Sequence, residues 1–171
     1  MSGVLTILGI DPGSQSTGFG VITVEGGALR YQASGCIRTK GGELPGRLRI
    51  IFDGAARLVE QYRPDEICVE RVFMHRNADS ALKLGQARAA ALCGTFVHDV
   101  PVHEYAAREV KLAVTGSGGA EKVQVAHMVR QLLAVRGPLA ADAADALAVA
   151  ICHAQLRKGR ALRAALAGGG P

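Results

Sequence analysis

The order of strand-like and helix-like segments along the chain is the feature that most limits its fold. Three apolar runs rich in β-branched residues come first, at 4–10, 19–24 and 29–39. The first run stops at Asp11-Pro12-Gly13, a turn sequence, and Gly26-Gly27 separates the other two. The opening of the chain is therefore predicted to be a three-stranded antiparallel meander whose third strand lies at an edge.

Helical and strand patterns then alternate towards the end of the chain. Apolar residues recur at helical spacing in 43–61, 79–96, 106–114, 121–135 and 140–156, and short apolar strands are predicted at 66–69 and 100–105. Three strands followed by alternating helices and strands predict a mixed five-stranded sheet with helices on both faces. The predicted fold class is α/β.

Length and composition favour one compact domain. The chain has 171 residues, of which 49% are hydrophobic and 20% charged. We predict one domain over residues 1–156 and a basic, Gly-rich, flexible tail over 157–171. No apolar run approaches the roughly 20 residues of a membrane-spanning helix, and the first residues lack the basic opening of a secretory signal, so a cytoplasmic location is expected.

The charge of the chain permits a polyanionic partner. The net charge is +5, yet residues 1–155 carry 16 basic and 15 acidic side chains, so the body is close to neutral. Nucleic acid would have to be bound by local basic patches that tolerate acids nearby. The four cysteines and five histidines are scattered without CxxC or HExxH spacing, and most are expected to be ordinary core or surface residues.

Two acids interrupt the last helical segment, which is otherwise almost entirely apolar. Asp142 and Asp145 are three positions apart and so project from one face of a helix. Like charges at this spacing repel, and a cation between the carboxylates would remove the conflict. Taken alone, the pair is also compatible with a first helical turn, where acids interact favourably with the helix dipole.

Two further acids end predicted strands. Asp11 follows the first apolar strand and Glu70 follows the strand at 66–69. Ligand sites of open α/β sheets collect at the carboxyl ends of parallel strands, so these carboxylates are expected to lie side by side. With Asp142 and Asp145 they offer four hard oxygen ligands, which suit Mg²⁺ or Mn²⁺ better than zinc.

Several segments in chain order resemble the RuvC family of Holliday-junction resolvases. They are Ile10–Ser14, Thr17–Gly20, Glu70–Phe73, Asn77–Arg88, Glu104–Arg108, Ala120–Lys122 and Asp142–Ala146. The resemblance spans about residues 5–155 and is more specific than any one motif. It implies a ribonuclease-H-like fold and a Mg²⁺-dependent homodimeric endonuclease that cuts four-way DNA junctions and works with the RuvA and RuvB branch-migration proteins.

The resemblance also assigns roles to residues. It implies that Asp11, Glu70, Asp142 and Asp145 bind two catalytic metal ions, with Mn²⁺ possible in place of Mg²⁺. One ion would lower the pKa of an attacking water, and a second, about 4 Å away, would stabilise the leaving oxygen, giving a 5′ phosphate and a 3′ hydroxyl. Lys111 and Lys122 would contact phosphates near the cut, and Lys122 is predicted to begin a helix whose N-terminus favours an anion.

The segment after Glu70 is expected to contact DNA. Its candidate DNA-binding residues are Phe73, Arg76, Asn77, Ser80, Lys83 and Arg88. Phe73 could stack on an unpaired base at the junction centre, or it could be an ordinary core residue. The helix at 79–96 carries a wide apolar stripe with small residues, which makes it the candidate dimer surface.

Three alternative functions are compatible with parts of the pattern. An actin-like or sugar-kinase-like ATPase also has a strand that ends in Asp-x-Gly followed by Thr-Gly, but no second phosphate loop is apparent here. A non-catalytic junction-binding protein would have lost an essential acid, whereas all four positions carry carboxylates. Another ribonuclease-H-like nuclease would share the fold and differ in substrate.

Overall fold

A computed structural model of the chain describes residues 3–71 and 77–167. The strands are β1 (Leu5–Asp11), β2 (Ser16–Glu25), β3 (Ala28–Arg38), β4 (Glu66–Glu70) and β5 (Val102–Tyr105). The helices are α1 (Leu44–Tyr62), α2 (Ala78–Thr95), α3 (Ala107–Thr115), α4 (Lys122–Leu133) and α5 (Ala141–Ala167). These described elements follow the order predicted from the sequence.

The strands form one mixed sheet in the order β3-β2-β1-β4-β5. The pairs β1–β2 and β2–β3 are antiparallel, whereas β1–β4 and β4–β5 are parallel. The predicted meander, its edge strand and the mixed five-stranded α/β architecture are confirmed.

Helices cover both faces of the sheet because successive strand side chains point to opposite sides. In β1, Leu8 and Ile10 pack with residues of α1 and α2, whereas Ile7 packs with residues of α3, α4 and α5. In β4, Ile67 and Val69 pack on the same side of the sheet as Leu8 and Ile10. Cys68 packs on the other side, with Ile7. Every second residue of β1 and β4 therefore faces α5.

Three glycines let α5 lie against the sheet at very short range. A Cβ on Gly9 would be 2.2 Å from the backbone oxygen of Ala146, and one on Gly18 would be 2.0 Å from that of Asp142. A Cβ on Gly20 would lie 2.6 Å from the Leu147 side chain. Only glycine fits at these contacts, so β1 and β2 fix the position of the first turns of α5.

Helix α5 is longer than predicted. The sequence pattern predicts that it ends at Leu156, but it continues to Ala167. The added segment is rich in alanine, leucine and arginine, which favour helix, and the single Gly159 costs only about 1 kcal/mol. The predicted end of the helix is wrong because a basic, Gly-containing segment has a composition compatible with both a tail and a helix. The domain boundary at residue 156 stays a prediction. None of the described helices is long and apolar enough to cross a membrane.

Candidate metal centre

Asp11 and Glu70 lie at the carboxyl ends of neighbouring parallel strands. Ile10 pairs with Val69, so the next residue of each strand is one of the two acids. Side chains an even number of positions apart on a strand lie on the same face of the sheet. Asp11 therefore shares a face with Ile7, and Glu70 with Cys68, and α5 covers this face. The predicted meeting of these two strand ends is confirmed.

The first turns of α5 bring Asp142 and Asp145 to the same place. Asp11 pairs with Gly18 in β2, and the backbone of Asp142 lies directly over Gly18. Asp142 and Asp145 are both half-buried, although neighbouring residues of the helix are packed in the core. The four acids predicted from separate segments therefore form one cluster.

The cluster concentrates negative charge in a partly buried site. The pKa of Asp11 is raised from its usual value to about 7, first by burial and then by the carboxylates of Asp145, Glu70 and Asp142. Burial also raises the pKa of Glu70, and Asp145 adds to the effect. With a pKa of about 7, Asp11 is only partly ionised at neutral pH, because its charged form is opposed both by burial and by the neighbouring carboxylates.

Lys122 and Lys111 supply the nearby positive charge. The Lys122 ammonium donates a hydrogen bond to Asp145 Oδ2 at 2.9 Å, and this bond raises the pKa of the lysine. Lys122 also lowers the pKa of Asp11 and of Glu70, and Lys111 lowers that of Glu70. The Lys122 side chain is 80% exposed, so its ammonium is accessible to a ligand in solvent. Both lysines therefore lie near the acids, and their contact with a phosphate stays a prediction.

The donor set of this cluster fits a hard divalent cation. All four acids offer carboxylate oxygens, the ligands that Mg²⁺ and Mn²⁺ prefer. Their mutual repulsion, evident in the raised pKa of Asp11, is the kind of conflict that a bound cation relieves. Asp11, Glu70, Asp142 and Asp145 would hold such ions.

The loop after Asp11 is fixed by polar contacts that sequence reasoning did not identify. The buried Thr17 hydroxyl donates to the oxygen of Gly13 at 3.0 Å and accepts from its N–H at 3.2 Å. Arg47 of α1 donates to the oxygen of Ser14 at 2.6 and 3.1 Å, and Thr39 donates to the same oxygen at 2.9 Å. Thr17 lies in a motif quoted above, but no sequence signal marks Arg47 or Thr39, which act from distant segments.

The candidate DNA-binding residues have mixed surroundings. Phe73 and Arg76 lie outside the described residues. Asn77 caps α2 by accepting from the N–H groups of Asp79 and Ser80 at 3.0 and 3.2 Å, so it has a structural role at that position. Ser80 is exposed, and Lys83 is also exposed and bonds to Asp79 at 2.7 Å.

Arg88 is half-buried and is held by Glu104. Its guanidinium bonds to the Glu104 carboxylate, which also lies 3.8 Å from Arg71. Arg88 Nε is buried and has no hydrogen-bond partner among the described residues. Glu104 begins one of the segments that resemble the RuvC family, but the sequence did not predict a functional role for it. It joins the end of β5 to α2 and to the residue after Glu70.

Comparison with known proteins identifies the family. The family model described as "Crossover junction endodeoxyribonuclease RuvC" matches residues 7–153 of this chain. The chain belongs to the RuvC family. A RuvC protein of Methylococcus capsulatus is 59% identical over 152 residues, which cover 89% of this chain and 92% of the relative.

Solved structures of RuvC proteins have the same fold. "T. thermophilus RuvC in complex with Holliday junction substrate" superimposes with a TM-score of 0.83 at 34% identity, covering 91% of this chain and 96% of that chain. The yeast mitochondrial Holliday junction resolvase Ydc2 gives 0.67 at 11% identity and covers 89% and 80%, which shows the shared fold alone. The ribonuclease-H-like fold is confirmed, and RuvC membership makes this chain a hydrolase of the crossover junction endodeoxyribonuclease class.

Proposed function

We propose that this chain resolves four-way DNA junctions by two-metal-ion hydrolysis of phosphodiester bonds. The observation that carries the proposal is the cluster of Asp11, Glu70, Asp142 and Asp145 with Lys111 and Lys122 beside it. The proposal is supported by the similarity to T. thermophilus RuvC, whose structure was solved in complex with a Holliday junction substrate. The products would carry a 5′ phosphate and a 3′ hydroxyl.

The chain contributes position and charge to this chemistry. Two Mg²⁺ ions bound by the four carboxylates would activate the attacking water and stabilise the leaving oxygen. The rigid strand ends and α5 hold the carboxylates at fixed places, which removes the entropic cost of assembling them for each reaction. Asp11 has to lose its proton to serve as a ligand, and its raised pKa makes this step sensitive to pH near 7.

The two lysines would act on the phosphate. The exposed ammonium of Lys122 can exchange its bond to Asp145 for a phosphate oxygen, because a lysine side chain is long and rotates freely. A cation placed there stabilises the charge that develops on the phosphoryl oxygens in the transition state. Lys111, which acts electrostatically on Glu70, would contact a phosphate near the cut.

The biological unit would be a homodimer. One acid cluster per chain cuts one strand, whereas resolution of a junction needs two symmetric nicks. A C2 dimer would match the near-twofold symmetry of a four-way junction. By family resemblance, the RuvA and RuvB proteins would deliver the junction, and the enzyme would act in the cytoplasm, where bacterial chromosomal DNA lies.

Cleavage of a synthetic four-way junction tests the proposed function. We expect Mg²⁺-dependent paired nicks by the wild-type chain and none by Asp11→Asn or Asp145→Asn, because each variant loses a metal ligand. Both variants should still bind the junction in gel shifts without metal, since they remove negative charge from the DNA side. Asp99→Asn, which changes an exposed aspartate before β5, is the matched control and should cut normally.

Other outcomes would favour the alternative functions. Equal cleavage of the junction and of a linear duplex would indicate a generic ribonuclease-H-like nuclease. Binding without cleavage by the wild-type chain would indicate a junction-binding protein. A nucleotide-dependent rise in Tm with no cleavage would favour the ATPase. Near-normal cleavage by Asp145→Asn would refute the assignment of the acids.

A further inference from the structure

A second group of metal-ligating side chains lies away from the four acids. It consists of Glu66, His103 and His153, and one ligand atom from each lies within 4.8 Å of the other two. Glu66 begins β4, His103 lies in β5, and His153 lies in α5. His103 pairs with Cys68, so strand alternation places Glu66 on the α5 face and His103 beside it. We call these three residues the His-Glu cluster.

The His-Glu cluster is separate from the nuclease acids. Glu66 and Glu70 are the first and last residues of β4, about 13 Å apart at the rise of an extended strand. Asp145 and His153 are eight positions apart on α5, about 12 Å along the helix axis. The two groups therefore lie at opposite ends of β4 and more than two turns apart on α5.

Neighbouring side chains orient the members of the cluster. His153 is buried, and its Nδ1 is hydrogen-bonded to the buried Tyr105 hydroxyl at 2.7 Å. Its Nε2 is bonded to Glu66 Oε2, while Arg157 Nε donates to Glu66 Oε1 at 2.7 Å. In protein metal sites, ligands are commonly oriented in this way, as Tyr105 orients His153 and Arg157 orients Glu66 here.

His103 completes the group from the neighbouring strand. Its ring centroid lies 4.5 Å from that of His153, with the ring planes tilted by 31°. His103 and Glu66 are half-buried, so the cluster can be reached from solvent although His153 is 1% exposed. A cation could enter from the side of His103 and Glu66.

The protonation states of the cluster suit a cation. Burial raises the pKa of Glu66, but hydrogen bonds from Arg157 and His153 outweigh this and hold the pKa below its usual value. Burial lowers the pKa of His153, and its bond to Glu66 offsets only part of that effect. Glu66 is therefore a carboxylate and His153 a neutral imidazole at neutral pH, the forms in which they act as ligands.

We propose that Glu66, His103 and His153 form a binding site for a late first-row divalent cation such as Zn²⁺. Two imidazoles and one carboxylate are a donor set of zinc proteins, and they differ from the all-carboxylate set that suits Mg²⁺. A cation bound between His153 Nε2 and Glu66 Oε2 replaces the hydrogen bond between these atoms. The single proton of the neutral His153 ring then has to lie on Nδ1, as the other tautomer, where it is donated to the Tyr105 oxygen, since a phenol can accept as well as donate.

A cation bound in this way joins three elements of the fold. Glu66, His103 and His153 come from β4, β5 and α5, which are far apart in the sequence. A ligand that binds the folded chain and not the unfolded chain stabilises the folded state. Binding at this site therefore stabilises the fold, and the proposal does not depend on the proposed nuclease function.

Titration of the full chain with Zn²⁺ in excess Mg²⁺ tests the site, because Mg²⁺ occupies the four acids. We expect calorimetry to find one Zn²⁺ per chain and Zn²⁺ to raise Tm at constant Mg²⁺. Co²⁺ used in place of Zn²⁺ should give the visible absorption bands of a low-coordinate site. Asp145→Asn should bind Zn²⁺ as the wild-type chain does, which separates the cluster from the nuclease acids.

Substitution of His103 and Glu66, the more accessible of the three proposed ligands, tests whether they bind the Zn²⁺. His103→Gln and Glu66→Gln should lose the bound Zn²⁺ and its effect on Tm, with far-UV circular dichroism confirming that both fold. His127→Gln is the matched control, because His127 is an exposed histidine of α4 outside the cluster, and it should bind normally. Failure of the wild-type chain to bind Zn²⁺, or unchanged binding by His103→Gln and Glu66→Gln, would overturn the proposal and leave a hydrogen-bonded network only.

Discussion

The raised pKa of Asp11 predicts how the stability of the metal-free chain depends on pH. The pKa is 3.8 for an ordinary aspartate and about 7 in the fold. Between these values the folded chain binds more protons than the unfolded chain, so the free energy of unfolding falls as pH rises. The raised pKa of this one group lowers the free energy of unfolding by up to about 4 kcal/mol as pH rises, because each pKa unit corresponds to 1.36 kcal/mol.

Asp11→Asn should therefore stabilise the metal-free chain at pH 8. Asparagine resembles the protonated acid, so wild type and variant should differ little at pH 4 and increasingly above it. Denaturant unfolding in a metal chelator at both pH values measures the difference. A variant that is less stable than wild type at pH 8 would contradict the charge conflict inferred for this cluster.

A second prediction concerns the contribution of the Lys122 side chain to the cleavage rate. Lys122→Ala should slow junction cleavage by roughly 10²-fold, a typical effect of removing one group that stabilises transition-state charge, while affinity changes little. Lys111→Ala should act in the same direction. Single-turnover cleavage and metal-free gel shifts separate the two quantities.

Lys83→Ala is the control for the lysine variants. Lys83 is exposed on α2 and paired with Asp79 rather than with an acid of the cluster, so its loss should lower affinity and reduce the salt dependence of binding without a specific effect on rate. If Lys122→Ala behaves in the same way as Lys83→Ala, Lys122 only positions the DNA backbone.

At the level of elements, the contact between β2 and α5 leaves the least room for an added side-chain atom. Gly18→Ala would place a methyl group 2.0 Å from the backbone oxygen of Asp142, and a backbone contact cannot be relieved by a rotamer change. We expect a loss of about 1–3 kcal/mol in unfolding free energy and loss of cleavage, because α5 has to move with Asp142 and Asp145.

Gly46→Ala is the matched control for Gly18→Ala. Gly46 lies in the first turns of α1, and a Cβ there meets no atom within 4 Å. This substitution should stabilise the chain by about 0.5–1 kcal/mol and leave cleavage unchanged. Thermal unfolding and junction cleavage of both variants decide the matter, and a well-folded, active Gly18→Ala variant would refute the close contact.

Element order and the acid cluster were predictable from the sequence, because both depend on local periodicity. Asp11 and Glu70 each break an apolar strand, and Asp142 and Asp145 break an apolar helix, so each left a local signal. The His-Glu cluster left none. Glu66, His103 and His153 have no common spacing, and only the pairing of β4 with β5 and the packing of α5 bring them together. The end of α5 was missed because charge composition does not distinguish a basic tail from a solvated helix.

At the level of the whole molecule, α2 presents a face suited to self-association. Ala87 and Ala91, part of the stripe predicted as a dimer surface, are buried in the chain's own core with α1. Leu82 and Phe96 are 68% and 63% exposed on another face of this segment. We infer that a dimer would use this exposed face, since large apolar side chains on a surface are often covered by a partner.

Leu82→Asp should therefore weaken self-association and uncouple the two nicks. Sedimentation measures the first effect, and a supercoiled cruciform plasmid the second, since uncoupled nicking yields open circles before linear product. Val4→Asp is the control, because Val4 is 55% exposed just before β1, at the opposite end of that strand from Asp11. A wild-type chain that sediments as a monomer and makes only isolated nicks would rule out the paired-site proposal.

The burial of α5 also has a consequence for hydrogen exchange. Residues 146–152 of this helix are almost completely buried, and glycines hold its backbone directly on the sheet. Its amides should therefore exchange only through global unfolding and be among the slowest in the chain. Asp142 and Asp145 lie directly before this protected segment, so local opening elsewhere in the fold should rearrange them little. Recognition of different DNA shapes has to come from elements that exchange faster, and exchange measured with and without junction DNA would identify them.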